Sequence, residues 1–270
     1  MLHELTLAGE RFAVRDEGRG PPLLLVHGFP FDRTMWDVVL PALAPHARVL
    51  APDLRGFGGS VVSEGSVTMA RMADDLAAVL DALHVTEPLV YVGFSMGGYV
   101  GWPFLERHGR RVSALVAVDT RAAADTPEAA AGRLAMAERV LAEGSAVAAD
   151  AMLPRLLAPD RARRDPDLLR RVRDLMLRAD ARGIAAAQRG MAARPDSRGQ
   201  LAALRLPTLV MCGEHDVIST RDEMRALAAA VPGSRFVEVR DAGHLTPVEQ
   251  PGAVSAALLE FLARRGQPAG

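Results

Sequence analysis

The chain has 270 residues, which is long enough for one large α/β domain with an inserted segment. Its hydrophobic content of 49% and its charged content of 24% are ordinary for a soluble globular protein, and a formal net charge of −1 gives no reason to expect a nucleic acid or an anionic membrane as partner. The single cysteine, Cys212, excludes an internal disulfide framework.

The sequence also carries no signal that predicts a membrane or secretory location. The first residues lack a basic region followed by an apolar stretch, so we expect no signal peptide. No apolar run approaches the length that a membrane span needs. A cytoplasmic enzyme is therefore expected.

Strand and helix signals alternate along the first 120 residues. Residues 4–16 alternate polar and apolar side chains around a Gly-Glu pair, which predicts a β-hairpin at a sheet edge. Apolar runs typical of buried strands follow at residues 23–26, 48–51, 89–92 and 115–118. Helical spacing of apolar residues predicts helices over residues 69–83 and 98–108.

The composition then changes over residues 121–200, which are rich in Ala, Arg, Leu and Met and show no convincing strand. Helix starts are predicted at Thr126-Pro127 and Asp165-Pro166, where a capping side chain precedes a proline. Strand character returns at residues 208–211 and 235–239, before a final helix. We therefore predict a core formed by residues 1–120 and 201–270, with a helical cap inserted at 121–200.

Strands that alternate with helices predict an α/β fold with a mostly parallel sheet covered on both faces. In such sheets the functional residues gather at the carboxyl ends of the strands. This rule selects Phe29, Ser95, Asp119, Asp216 and His244.

The most informative stretch is residues 93–97, which read Gly-Phe-Ser-Met-Gly between a predicted strand and a predicted helix. That context places Ser95 on a sharp turn with its hydroxyl exposed above the sheet. Gly93 and Gly97 leave room for a close backbone approach that a Cβ would block. The helix N-terminus favours the negative charge that develops in acyl transfer. We therefore predict that Ser95 is a nucleophile.

A serine hydroxyl needs a general base, and the base needs an acid that fixes its tautomer. His244 follows the last predicted strand, and Asp216 follows the strand before it, in a turn that begins with glycine. The chain order Ser, Asp, His is the order expected after such an elbow. Asp119 ends an earlier strand and is the alternative acid. We predict His244 as the base and favour Asp216 as the acid.

Two backbone N–H groups are predicted to form an oxyanion hole, those of Met96, directly after the serine, and of Phe29, in an early loop. His27 is expected to be structural and to hydrogen-bond that loop. Asp53 and Arg55 are expected to pair with each other and to brace their glycine-rich loop.

No metal or cofactor site is predicted. The seven histidines are scattered without the spacing of metal ligands. The glycines at 56–59 are not followed by a predicted helix, so they do not form a phosphate-binding loop. The expected partner is a small-molecule ester or lactone, and the oligomeric state is not predicted.

With these motifs in place, the chain resembles the α/β-hydrolase family over nearly its whole length, and most of all its small bacterial esterases and 3-oxoadipate enol-lactonases. The resemblance implies an α/β-hydrolase fold with about eight strands, a helical cap, and a Ser-His-Asp hydrolase that needs no cofactor. It also implies that the acid follows the strand before the histidine, which supports Asp216. Members with Asp at the elbow, the haloalkane dehalogenases and epoxide hydrolases, are disfavoured by Ser95. The motifs that carry the resemblance lie at residues 27–30, 53–60, 93–98, 213–216 and 243–244.

The predicted function is hydrolysis of small carboxylic esters or lactones through an acyl-enzyme on Ser95. Three alternatives stay open: enol-lactonase activity proper, perhydrolysis of the kind seen in cofactor-free haloperoxidases, and a ligand sensor with slow turnover. An anionic substrate would require an inward arginine of the cap, for which the candidates are Arg133, Arg139, Arg155, Arg171 and Arg189.

The cap is predicted to be mobile and to overhang the site. It contains no aromatic residue, so its flexible methionines are expected to contribute to the substrate pocket. The four candidates are Met136, Met152, Met176 and Met191.

Overall fold

The structure is a computed structural model that describes residues 1–265. The last five residues of the predicted core, 266–270, lie outside the described residues. The strands are β1 (Leu2–Leu7), β2 (Glu10–Glu17), β3 (Pro22–Val26), β4 (Arg48–Pro52), β5 (Leu89–Phe94), β6 (Val112–Val118), β7 (Thr208–Gly213) and β8 (Arg235–Val239).

The helices lie between and after these strands. Short 3-10 helices occupy Arg33–Val38 and Gly109–Arg111. The α-helices of the described chain are α1 (Leu40–Leu43), α2 (Met69–Ala82), α3 (Met96–His108), α4 (Pro127–Glu143), α5 (Ala146–Leu156), α6 (Arg161–Arg164), α7 (Pro166–Leu177), α8 (Ala181–Ala192), α9 (Arg198–Leu201), α10 (Arg221–Ala230), α11 (Thr246–Glu249) and α12 (Pro251–Arg265).

All eight strands form one sheet in the order β1-β2-β4-β3-β5-β6-β7-β8. The two pairings of β2 are antiparallel and the remaining pairings are parallel. The predicted α/β architecture is therefore confirmed, as is the N-terminal hairpin at a sheet edge. Strand β5 lies between β3 and β6, so the loops that follow these strands meet above its carboxyl end.

Burial on both faces explains the continuous apolar runs of the central strands. Along β3, Leu23 and Leu25 belong to one hydrophobic cluster, whereas Leu24 and Val26 belong to another. Side chains alternate between the two faces of a strand, so a strand covered on both sides must be apolar at every position. The core thus consists of two layers, one on each side of the sheet.

Helix α8 shows how the inserted helices meet the rest of the chain. A Cβ on Gly183 would lie 2.0 Å from the carbonyl oxygen of Gly56, and one on Gly190 would lie 1.7 Å from that of Val67. The Val67 N–H also donates a hydrogen bond to the Ala186 carbonyl at 3.1 Å. Because these backbones touch, α8 packs directly on the core. The division into core and mobile cap stays a prediction.

The start signals of the inserted helices are confirmed. The side chains of Thr126 and Asp165 cap α4 and α7 by accepting the N–H groups of Ala129 and Leu168. Helix α10 was not predicted from the sequence. Its signal is a capping box in which Thr220 and a glutamate three residues later bond each other's backbone.

Candidate active site

Ser95 lies at the sharp turn between β5 and α3. Its backbone has φ of +50° and ψ of −114°, a conformation that residues with side chains rarely adopt. Hydrogen bonds hold the turn: the Ser95 N–H donates to the Val118 carbonyl at 2.9 Å, and the Thr120 hydroxyl donates to the Ser95 carbonyl at 2.7 Å. The side chain therefore projects from the carboxyl edge of the sheet.

The two glycines that flank the turn are required by close backbone contacts. A Cβ on Gly93 would lie 2.6 Å from the Gly97 carbonyl oxygen, and a Cβ on Gly97 would lie 2.2 Å from the Val26 carbonyl oxygen. Both distances are shorter than van der Waals contact. The sequence pattern around Ser95 is thus explained by the space available.

A chain of hydrogen bonds joins the three predicted triad side chains. The Nε2 atom of His244 lies 2.9 Å from the Ser95 Oγ, and its Nδ1 lies 2.8 Å from Oδ2 of Asp216. His244 is 2% exposed and Ser95 is 9% exposed. With the proton on Nδ1, the imidazole donates to the carboxylate and accepts from the serine hydroxyl, the arrangement needed to abstract the hydroxyl proton.

The backbone fixes Asp216 in the direction of His244. Its Oδ1 accepts the N–H groups of Ile218 at 2.7 Å and Ser219 at 3.0 Å, which leaves Oδ2 for the imidazole. The carboxylate is therefore oriented before any substrate binds.

The alternative acid, Asp119, makes different bonds. Its carboxylate accepts the Gly213 N–H at 2.8 Å and the Thr246 hydroxyl, so it joins the ends of β6 and β7 to α11. Burial, together with nearby Asp216, raises the pKa of Asp119 well above its ordinary value. Between the two acids, the hydrogen bond to His244 is made by Asp216.

The loop after β3 lies beside the serine, as adjacency of β3 and β5 requires. A Cβ on Gly28 would lie 3.1 Å from the Ser95 Cβ. The next residue, Phe29, lines the same cavity as Ser95. Met96, which directly follows Ser95, is the first residue of α3. Within residues 1–265 we find no hydrogen bond from the N–H of Phe29 or Met96 to another group of the chain. Their role as oxyanion donors stays a prediction.

His27 links this loop to the glycine-rich loop that follows β4. Its Nε2 accepts the Leu54 N–H at 2.9 Å, and its Nδ1 lies 2.9 Å from the Gly28 carbonyl. Burial lowers the pKa of His27, which favours the neutral ring that this pair of bonds needs. The ring is thus a structural bridge, as expected.

The expected pair between Asp53 and Arg55 is wrong. Asp53 binds the guanidinium of Arg33 and accepts the Gly59 N–H at 2.7 Å. Arg55 instead binds Asp75 on α2 and a glutamate of β2. The two side chains find partners on different elements, and that choice depends on tertiary packing that sequence neighbours do not reveal.

Ser95 and His244 open into a cavity of about 370 Å³ beneath α4, α5 and α8. Three of the predicted methionines line it: Met136, Met152 and Met191. The prediction for Met176 is wrong. Its side chain is fully buried in a hydrophobic cluster of the core and does not line the cavity. The helical spacing of α7 places Met176 with its other buried residues, Leu168 and Val172, rather than toward the cavity.

Four charged side chains of residues 1–265 line the cavity: Arg121, Asp125, Arg133 and Arg155. Asp125, whose side chain is 2% exposed, binds both Arg133 and Arg194, the latter at 2.7 Å. Burial alone would raise the pKa of Asp125, but hydrogen bonds from the two arginines outweigh it and lower the pKa. Arg121 pairs with Glu223 at 3.0 Å. Asp125 could not be predicted from the sequence, since no motif surrounds it.

Arg155 differs from the other arginines of the wall. It is an exposed residue in the last turn of α5 and lines the cavity that holds Ser95. Within the described residues it has no ion-pair partner, whereas Arg121 and Arg133 each bind a carboxylate. Of the five arginines proposed to face inward, Arg133 and Arg155 line this cavity.

Two groups of three side chains in residues 1–265 have donor atoms close enough to hold a metal ion: Asp119, Cys212 and Asp216, and Glu214, His215 and Asp241. In the first group burial raises the pKa of the Cys212 thiol, so it lacks the thiolate that metals prefer. The second group lies at the surface, where acidic clusters are common. Neither group favours a metal centre.

Comparison with known proteins decides the family. A family model described as alpha/beta hydrolase fold matches residues 21–251. The chain belongs to the α/β-hydrolase family. The structure of a thermophilic esterase from Thermogutta terrifontis, with malate bound, is 44% identical, covers 99% of this chain and 100% of its own, and has a TM-score of 0.95.

Two curated relatives differ in how much of this α/β-hydrolase they match. A 3-oxoadipate enol-lactonase from Acinetobacter baylyi is 30% identical over 246 residues, 90% of each chain. A probable oxidoreductase, EphD, from Mycobacterium tuberculosis is 41% identical over 105 residues, which are 37% of this chain and only 18% of that protein. The family and the full-length relatives support hydrolase activity. None of the helices in residues 1–265 combines the length and apolar character needed to cross a membrane.

The two candidate acids can be separated by matched substitutions. Asp216→Asn should lower kcat/KM for an ester by about 10⁴-fold, because asparagine cannot hold His244 in the required tautomer or stabilise its imidazolium. Asp119→Asn should cost less than about tenfold, since an amide can still accept the Gly213 N–H and donate to the Thr246 hydroxyl. Steady-state kinetics of both variants test this, and a larger loss in Asp119→Asn would reverse the assignment.

Proposed function

We propose that this α/β-hydrolase cleaves small carboxylic esters or lactones through an acyl-enzyme on Ser95. The observation that carries the proposal is the continuous hydrogen-bond chain from the Ser95 hydroxyl through His244 to Asp216, at 2.9 and 2.8 Å, beside an accessible cavity. The esterase and enol-lactonase relatives support the same reaction class.

In this mechanism the Ser95 Oγ attacks the ester carbonyl while His244 Nε2 takes the hydroxyl proton. The imidazolium that forms is stabilised by the Asp216 carboxylate. Collapse of the tetrahedral intermediate breaks the bond to the leaving alcohol, which receives the proton from His244, and the acyl group stays on Ser95. Water then repeats the sequence, with His244 as base, and releases the acid.

The developing oxyanion would be bound by the N–H groups of Phe29 and Met96. Both are backbone donors whose places are set by the fold, Phe29 in the buried loop after β3 and Met96 at the start of α3, so little reorganisation is needed as charge develops. The N-terminus of α3 adds a favourable dipole at the same point. Removal of one such donor costs about 3–4 kcal/mol of transition-state stabilisation in measured cases.

Ser95→Ala should reduce hydrolysis of p-nitrophenyl acetate and p-nitrophenyl butyrate by at least about 10³-fold. The substitution removes one oxygen at the edge of a cavity, so the melting temperature should change little. The measurement is initial rate per folded protein, with circular dichroism as the control for folding. Activity close to that of the unaltered chain would place the nucleophile elsewhere.

A second, narrower candidate is hydrolysis of an ester or lactone that carries a carboxylate. Arg155 favours it, because a cation without an ion-pair partner lines the cavity of Ser95. Arg133 adds charge, since Asp125 is shared between it and Arg194. The names of two relatives support a substrate that carries a carboxylate. One is a 3-oxoadipate enol-lactonase, and the other is an esterase whose structure was solved with malate bound.

Arg155→Gln should lower kcat/KM for the mono-p-nitrophenyl ester of glutaric acid by about 3- to 10-fold, a modest value because the side chain is exposed and screened. Neutral p-nitrophenyl butyrate should change by less than about twofold. Arg139→Gln is the matched control, because Arg139 is an exposed arginine paired with Glu143 and does not line the cavity. Equal losses on both esters would exclude carboxylate recognition by Arg155.

A further inference from the structure

The last residue of α11, Glu249, is buried close to the proposed catalytic base. Its exposed fraction is 2%. One carboxylate oxygen, Oε1, accepts the Gly243 N–H at 2.7 Å, and the other, Oε2, accepts the Ala158 N–H at 2.8 Å. A buried carboxylate that accepts backbone N–H groups on both oxygens forms strong, charge-assisted bonds. Glu249 therefore fastens two backbone segments to each other.

These two segments are far apart in sequence. Gly243 directly precedes His244 in the segment between β8 and α11, residues 240–245, which we name the His244 loop. Ala158 follows the end of α5 in the inserted helices. The Leu245 N–H also donates to the Leu156 carbonyl at 3.0 Å. The His244 loop is thus held against the end of α5 by three hydrogen bonds, two of them through Glu249.

The His244 loop and the chain at the end of α5 are in direct backbone contact at Gly243. A Cβ on Gly243 would lie 2.5 Å from the carbonyl carbon of Leu157 and 2.6 Å from the Ala158 nitrogen. Helix α5 in turn carries Met152 and Arg155, which line the cavity. The hydrogen bonds of Glu249 therefore join the His244 loop to the part of the cavity wall that α5 forms.

We propose that Glu249 is a positioning residue, which holds the His244 loop at hydrogen-bond distance from Ser95 and couples the place of His244 to that of α5. This rests on the proposed function, in which His244 takes the Ser95 proton. Proton transfer needs the 2.9 Å separation between Nε2 and Oγ, and a misplacement of about 1 Å can cost about 100-fold in rate. Glu249 does not line the cavity of Ser95, so its effect would pass through the His244 loop.

The test is Glu249→Gln. Glutamine keeps the shape but offers one acceptor oxygen, so its NH₂ group opposes one of the two N–H donors. We expect kcat for p-nitrophenyl acetate to fall by about 10- to 100-fold, while KM changes by less than about threefold, because the pocket remains and the base is displaced.

Asp75→Asn is the control for loss of stability, since Asp75 is a buried carboxylate on α2 that binds Arg55 and Arg71 and does not line the cavity. Its kcat per folded molecule should be unchanged well below its melting temperature. If Glu249→Gln does not fold, Glu249→Asp takes its place, because it keeps the charge but is one methylene too short to reach both donors, and the same split between kcat and KM is expected.

The outcomes separate the two proposals. If Glu249→Gln or its replacement keeps full kcat per folded molecule while Ser95→Ala is inactive, the positioning role is wrong and the proposed function stands. If Ser95→Ala keeps its activity, the proposed function itself fails. If kcat falls in Glu249→Gln while KM stays nearly the same, and Asp75→Asn keeps its kcat, the positioning role of Glu249 is supported.

Discussion

The turn at Ser95 is the constraint on which the site depends. A serine held at a positive φ costs about 1–3 kcal/mol and persists only where the surroundings determine it. Here the glycines on either side allow β5, α3 and the end of β3 to touch at backbone distance, and Thr120 fixes the Ser95 carbonyl. Packing in the core compensates for the strain. The strained turn places the Ser95 hydroxyl above the carboxyl edge of the sheet.

The rest of the site is arranged around that hydroxyl by the order of the strands. The loop after β3 borders Ser95 because β3 and β5 are neighbours, while Asp216 and His244 follow β7 and β8. Buried, parallel strands give these loops a rigid base. The inserted helices then supply a wall of methionines and arginines. Asp125 binds Arg133 and Arg194, whereas Arg155 has no ion-pair partner among the described residues. In the proposed function, the core supplies the reacting groups and the inserted helices contact the substrate.

The sequence predicted best what backbone geometry dictates. Continuous apolar runs indicated the central strands, and a glycine-flanked serine between strand and helix indicated the turn, because few other residues fit there. Residues at strand ends could be grouped, since parallel strands end at one edge. This explains why the hydrogen bonds link Ser95, His244 and Asp216, the three residues that the pattern selected.

What the sequence could not predict depends on contacts between distant segments. The partners of Asp53 and Arg55 lie on other elements, and the direction of Met176 follows from how α7 rotates onto the core. Glu249 carries no motif, and its place between Gly243 and Ala158 emerges only when α5 and the His244 loop meet.

The most direct test of the account is to trap the nucleophile. The active protein would be incubated with a fluorophosphonate, digested, and its peptides analysed by mass spectrometry. The account predicts one phosphonyl group per chain, on Ser95, with hydrolytic activity lost in proportion to labelling. A modification on another residue that accompanies the loss of activity, or full activity in a chain labelled completely at Ser95, would contradict it.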